Sequence, residues 1–267
     1  MQEGVPLPRH VIAIAGVELE LFEQGEGPPI LFLHNGGGFF PEQPFVRLLS
    51  AGHRLIAPSH PGFGRSSLPD WIDSVDDIAY VHLELMDRLG LAQADIVGCS
   101  IGGWIAAELA TKSPERVRRV VLVGPEGVKI GPPDRLDIPD IYAMPEDELE
   151  RISYHDPEIM RIDPSRLTDE ELAILVRNRE TTALLVWEPY MHNPKLRHRL
   201  HRVTAPTLFL RGESDGLVSH ENLAGYARLL PNARVMTIAA AGHAPHVEQP
   251  EVFARTVLTF LETGAAS

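Results

Sequence analysis

Short apolar runs alternate with longer segments in which apolar residues recur every third or fourth position. Residues 11–14 and 17–22 are two such runs joined at Ala15-Gly16, the pattern of an antiparallel hairpin. Residues 30–33, 54–57, 95–97, 117–123, 207–210 and 234–238 are short and mostly apolar, as strands covered on both faces must be. Helical spacing fills the intervals, at 42–51, 73–90, 102–112, 222–230 and 250–263. In the second of these, apolar residues fall at 75, 78, 81, 85 and 89, and Gly90 ends the run. Alternating strand and helix predict an α/β protein with a doubly wound, mostly parallel sheet of eight strands.

One interval interrupts the alternation. Residues 125–203 are rich in proline and charge, show helical segments and contain no evident strand. So long a stretch is not a plain loop. The expected organisation is a core of residues 1–124 and 204–267, with a mostly helical cap of residues 125–203 inserted after the sixth strand.

Bulk composition narrows the class further. With 267 residues, 44% of them apolar, the chain has material for a core that needs no disulfide or metal. The single cysteine, Cys99, excludes an intrachain disulfide and suits a reducing cytosol. The opening stretch MQEGVPLPRH has neither a basic nor an apolar signal region, and no apolar run is long enough to span a bilayer, so a cytoplasmic protein is expected. A net charge of −13 argues against nucleic acid and anionic membrane as partners. The remaining expectation is a small-molecule substrate, handled by a monomer or small homo-oligomer without a cofactor. His198 and His201 lack a third ligand nearby, so no metal site is expected. Neither nucleotide-binding glycine pattern is present.

The candidate chemistry lies at the ends of the expected strands. Gly98-Cys99-Ser100-Ile101-Gly102 stands between a strand and a helix. A serine on such a turn is held up from the carboxyl edge of the sheet, over a helix N-terminus that favours developing negative charge. Serine needs a base, and His243 follows the last strand on the same edge, with His246 as its rival. Asp215 follows the preceding strand and is the candidate to orient the histidine; a turn aspartate beside Gly216 is its plain structural alternative. Gly36, Gly37 and Gly38 follow the third strand, where a flexible turn and a close approach of backbone to an oxyanion are both open.

Four segments, in order, carry a resemblance: His34–Gly38, residues 61–66 (PGFGRS), the serine turn, and Gly242-His243 followed by Glu248-Gln249-Pro250-Glu251. On these the chain resembles the α/β-hydrolase superfamily over nearly its whole length, apart from the cap. The resemblance implies a Ser100–His243–Asp215 triad and an oxyanion hole formed by the N–H groups of Gly36 and Ile101. It also points to Glu126, just past the sixth strand, as the alternative acid. Two departures stand out: Asn35 where glycine is usual, and His60 where an aspartate commonly precedes Pro61-Gly62.

Phe39, Phe40, Trp104, Trp187, Tyr190, Met191 and His192 are candidates for an apolar pocket or for packing between cap and core, and Phe39 and Trp187 are the chosen substrate contacts. The expected activity is hydrolysis of carboxylic esters of small, largely apolar substrates through an acyl-enzyme. A carbon–carbon bond hydrolase of ring-cleavage products or a lactonase is the alternative on the same parts. Enzymes of the carbon–carbon kind resembling this chain usually carry a tryptophan after the histidine and a cap arginine in the pocket. Ala244 takes the first place, and Arg177 and Arg179 are the candidates for the second although neither spacing matches well, which favours esters. A ligand-sensing receptor on the same fold is the alternative of another class.

Overall fold

In the computed structural model, which describes residues 9–264, the chain forms one eight-stranded sheet. Most of the opening stretch read for a signal peptide lies outside the described residues. Strands β1 (Arg9–Ile14) and β2 (Val17–Gln24) form the expected hairpin, with Ile14 opposite Val17. Then follow β3 (Pro29–Leu33), α1 (Pro44–Ser50), β4 (Arg54–Pro58), α2 (Val75–Arg88), β5 (Ala94–Cys99), α3 (Ile101–Lys112) and β6 (Val117–Val123). After a long insertion come β7 (Thr207–Gly212), α7 (His220–Ala227), β8 (Ala233–Ile238), α8 (Pro245–Glu248) and α9 (Pro250–Thr263). The insertion contributes the fourth, fifth and sixth helices, αA (Glu146–Ser153), αB (Pro157–Met160) and αC (Asp169–Val186).

The sheet order is β1-β2-β4-β3-β5-β6-β7-β8. β2 runs antiparallel to its two neighbours, and every pairing from β4 to β8 is parallel. The order reverses around β3, so the carboxyl ends of β3 and β5 open onto a crevice where ligands bind in open α/β sheets. Apolar side chains alternate to the two faces of the sheet. Phe32, Val97, Val121 and Leu208 pack with Phe45 of α1 and Phe253 of α9. Leu31, Ile96, Val120 and Phe209 pack with α2, α3 and α7 on the other face. All six residues of β5 are buried, which explains its mostly apolar run; the one charged member, Asp95, accepts from the Arg118 guanidinium.

Differences from the expected elements are local. α7 starts two residues earlier than the periodicity indicates, because the Ser219 hydroxyl accepts from the Asn222 N–H and sets the helix start. The single-turn helix α8 was not expected; it packs beside α9 just past His243. Between β6 and β7 the described residues form helices and loops, with one isolated bridge, Gly127 to His192. αC opens with a capping box between Thr168 and Glu171. No helix among the described residues is long and apolar enough to cross a membrane.

Candidate active site

Ser100 sits between β5 and α3 with φ 54° and ψ −119°, a conformation that side chains other than hydrogen rarely adopt. The flanking glycines make that turn possible. A Cβ on Gly98 would meet the Gly102 carbonyl oxygen at 2.3 Å, and one on Gly102 would meet the Leu33 carbonyl oxygen at 2.2 Å. The turn is therefore pressed against β3 and holds the hydroxyl at the crevice, 7% of the residue being exposed.

Three chain segments converge on that hydroxyl. His243 Nε2 lies 2.9 Å from Ser100 Oγ, and its Nδ1 lies 3.0 Å from Asp215 Oδ2. Asp215 is buried, and its other oxygen accepts from the Leu217 and Val218 N–H groups at 2.9 and 3.0 Å. With one oxygen fixed by backbone, the second presents a fixed face to the imidazole. That contact assigns the ring proton to Nδ1 and leaves Nε2 free to accept. Burial lowers the His243 pKa, but the Asp215 charge and hydrogen bond, with Glu126 and Glu248, outweigh it and the net shift is upward. The loop holding His243 is tied from below. Glu248 accepts from the N–H groups of Gly242 at 2.6 Å and of His155 at 2.7 Å, and the His243 N–H donates to the Ser153 carbonyl.

His246, the rival base, is elsewhere. Its ring is buried against Phe32, Phe45 and Phe253, and burial holds its pKa down to about 3.

Glu126 does not take the alternative-acid position. Its Oε1 lies 2.8 Å from Ser100 Oγ, on the serine rather than on the histidine Nδ1 that Asp215 occupies. The backbone just past β6 turns at Gly124, and the Glu126 N–H lies 3.4 Å from the Ser100 carbonyl, which directs the side chain to the nucleophile. Its pKa is raised: burial dominates, the Ser100 hydrogen bond and His243 pull the other way, and Asp215 adds to the rise.

The loop after β3 is shaped by Asn35 in a way a glycine would not allow. Its side-chain oxygen accepts from the Gly37 N–H at 2.9 Å, and its carbonyl accepts from the Gly38 N–H at 3.1 Å. Gly36 thus stands at the bend, and Ile101 opens α3 directly after Ser100. Their N–H groups remain the candidate oxyanion donors.

Sequence reasoning missed the residues that clamp this loop. Asn178 of αC donates to the Gly37 carbonyl at 2.8 Å and accepts from the Gly64 N–H at 2.9 Å. Thr181 donates to the Gly62 carbonyl at 2.9 Å, and the Thr182 hydroxyl lies 3.3 Å from the Gly36 carbonyl. The signal available was a polar trio at 178, 181 and 182, one helical face, in a segment read for its apolar and charged residues.

The two chosen substrate contacts fare differently. Phe39 is half-buried and its ring packs on Phe22 and Phe32, so it extends the core beneath the loop. Trp187 is 57% exposed and stacks edge-on with Tyr142 and Tyr190, forming an aromatic group in the insertion. Tyr142 lies close to Glu126. Both Arg177 and Arg179 are exposed.

The second departure, His60, belongs to a buried chain of three imidazoles. His34 donates from Nδ1 to the Asn35 carbonyl at 2.6 Å and accepts from the His60 N–H at Nε2. His60 donates from Nε2 to the His34 carbonyl, so its Nδ1 accepts from His82 Nε2 at 2.9 Å. Burial lowers the pKa of all three rings, so each is neutral, and its tautomer is set by its partner. No cluster of three or more metal-ligating side chains occurs among the described residues.

The sequence profile of the Alpha/beta hydrolase family matches residues 30–256, from β3 into α9. The chain is 29% identical to 2-hydroxymuconate semialdehyde hydrolase of Pseudomonas putida, over 97% of this chain and 96% of that one. It is 28% identical to 2-hydroxy-6-oxo-6-phenylhexa-2,4-dienoate hydrolase of Burkholderia cepacia, over 94% of this chain and 93% of that one. Among solved structures, the enol-lactonase of Burkholderia xenovorans superposes with a TM-score of 0.76 at 24% identity, over 96% of this chain and 100% of that one, a likeness of fold. With the profile spanning both halves of the sheet and the serine turn between them, this chain belongs to the alpha/beta hydrolase family and is a hydrolase.

Proposed function

We propose that the protein is a serine hydrolase that cleaves the carbon–carbon bond beside a ketone in a 2-hydroxy-6-oxo-dienoate, the product class of aromatic ring cleavage. Ser100 is the nucleophile, His243 the base and Asp215 the acid that holds the imidazole; Gly36 and Ile101 supply the oxyanion donors, and residues 125–203 act as the cap. His243 takes the Ser100 proton as Oγ attacks the ketone. The N–H groups stabilise the tetrahedral oxyanion, the carbon leaving group departs, and water releases the acyl group by the same steps.

The observation that carries this reading is the pair of proton-handling groups at one nucleophile, His243 at 2.9 Å and Glu126 at 2.8 Å from Ser100 Oγ. Ester cleavage needs only one, because the imidazolium formed on His243 can hand its proton to the departing alcohol oxygen. A carbon leaving group must first be protonated into a form that can hold an electron pair. The reactions named for the two curated relatives support the same choice. This replaces esters as the first reading of the bond.

Ester cleavage remains the second reading, favoured by one observation. Ala244, buried next to His243, puts a methyl group where a tryptophan would narrow the site. The deciding experiment compares kcat/KM for 2-hydroxymuconate semialdehyde and for p-nitrophenyl butyrate. The proposal predicts the larger value on the dienoate; a larger value on the ester selects the second reading.

A further inference from the structure

Ser100 Oγ carries one proton and stands between two acceptors, Glu126 Oε1 at 2.8 Å and His243 Nε2 at 2.9 Å. His243 Nδ1 already donates to Asp215, so a neutral imidazole has only an acceptor to offer at Nε2. One hydroxyl proton cannot fill both short contacts. Both are hydrogen bonds only if a further proton sits in the group, on Glu126 or on His243. With the proton on Glu126, the carboxylic acid donates to Oγ, and Oγ donates to Nε2. That arrangement leaves the serine aimed at its base. With the proton on His243, the imidazolium donates to Oγ and the serine donates to a carboxylate, an arrangement unable to start the reaction. Burial without a cation at hydrogen-bond distance disfavours the charged pair. Glu126 Oε2 is buried with no hydrogen-bond partner, which suits a carboxylic acid better than a carboxylate.

We propose that Glu126 holds a resident proton against Ser100 and is the acid that protonates the leaving carbon of the substrate before Ser100 attacks. A carboxyl group in contact with Oγ is within reach of both the attacked ketone carbon and the atom bonded to it. The step balances. The Glu126 O–H bond breaks and a C–H bond forms at the carbon beside the ketone, using an electron pair of the dienol. The enol O–H bond breaks, its pair becomes the new ketone, and its proton passes to solvent. Glu126 regains a proton from solvent at the end of the cycle. Ser100 then attacks, its proton passing to His243. The carbon–carbon bond breaks with its electron pair drawn into the new ketone as an enolate, and His243 returns the proton to that enolate.

The groups acting on Glu126 come from each element around it. They are Ser100 of the β5–α3 turn, His243 past β8, Asp215 past β7, and Tyr142 and Tyr190 of the insertion. Arg179 acts on Tyr142 and so sits one residue removed.

The donor step rests on the carbon–carbon reading for its substrate; the resident proton does not. The test therefore has two arms on the same pair, wild type and Glu126→Gln, whose amide matches the acid in shape and can donate to Oγ. In infrared difference spectra at neutral pH, the account predicts that the variant lacks a protonated-carboxyl C=O stretch present in wild type. Loss of a carboxylate stretch instead overturns the resident proton. In kinetics, the ratio of kcat/KM on a 2-hydroxy-6-oxo-dienoate to that on p-nitrophenyl acetate falls about 100-fold in the variant, the usual worth of a general acid. An equal fall on both substrates, or none on either, overturns the donor role. Wild type that leaves the dienoate intact overturns the carbon–carbon reading and the donor step with it, while the infrared arm still decides the proton.

Discussion

Moving the protein from pH 7 to pH 5 should remove several kcal/mol of stability, because four imidazoles are folded in neutral form. Burial lowers the pKa of His34 to about 4, of His82 and His246 to about 3, and that of His60 well below the usual value of 6.5. The folded pKa values are depressed, so the unfolded chain binds protons that the folded one refuses. Stability is whole above pH 6.5 and is lost as pH falls toward the folded values. Each such imidazole contributes about 2 kcal/mol to the loss between pH 7 and pH 5. Four together give about 8 kcal/mol, comparable with the whole stability of an ordinary domain. His243 and Glu126 are both shifted upward and offset part of this. The assay is urea unfolding followed by tryptophan fluorescence at the two pH values, with the slope against urea checked for constancy. His82→Gln keeps an N–H for His60 Nδ1 and removes one titrating ring, so its pH-dependent loss should be smaller by about 2 kcal/mol. A wild-type loss below about 2 kcal/mol would refute the neutral, buried assignment.

Two further substitutions test the site's construction. Asp215→Asn should lower kcat by about 10⁴-fold, since the amide neither fixes the tautomer nor stabilises the imidazolium; a loss under about tenfold would remove Asp215 from its role. Asn178→Ala should lower kcat about 10-fold or more through the loop it clamps and destabilise the fold by about 1–3 kcal/mol, because the Gly37 carbonyl and Gly64 N–H lose their partner. Unchanged kinetics in a folded Asn178→Ala would dissociate αC from the geometry of the loop.

The parts legible in the sequence are those governed by local rules. Strands buried on both faces give apolar runs, as at residues 30–33 of β3 and 120–123 of β6, and the order of serine, aspartate and histidine follows from which strand each residue ends. The serine turn is legible because its glycines answer to backbone contacts within a few residues and to the adjacent strand. What escaped depends on how distant segments meet. Asn178 reaches Gly37 across 141 positions, and nothing in the period of αC marks that contact. Glu126 could be placed past β6, but whether its carboxyl meets the histidine or the serine turns on the path of the chain through Gly124. His60 is legible as a departure from the usual aspartate, but not the partners that His34 and His82 supply for its ring in the fold.

The central claim is that Ser100 forms an acyl-enzyme with His243 as its base. Rapid quenching of a burst with p-nitrophenyl acetate, followed by intact-mass and peptide mass spectrometry, reads it directly. The account predicts one acetyl group per chain on the peptide containing Ser100, abolished in Ser100→Ala and strongly slowed in His243→Ala. An acetyl group on another residue, or turnover that persists in Ser100→Ala, would contradict it.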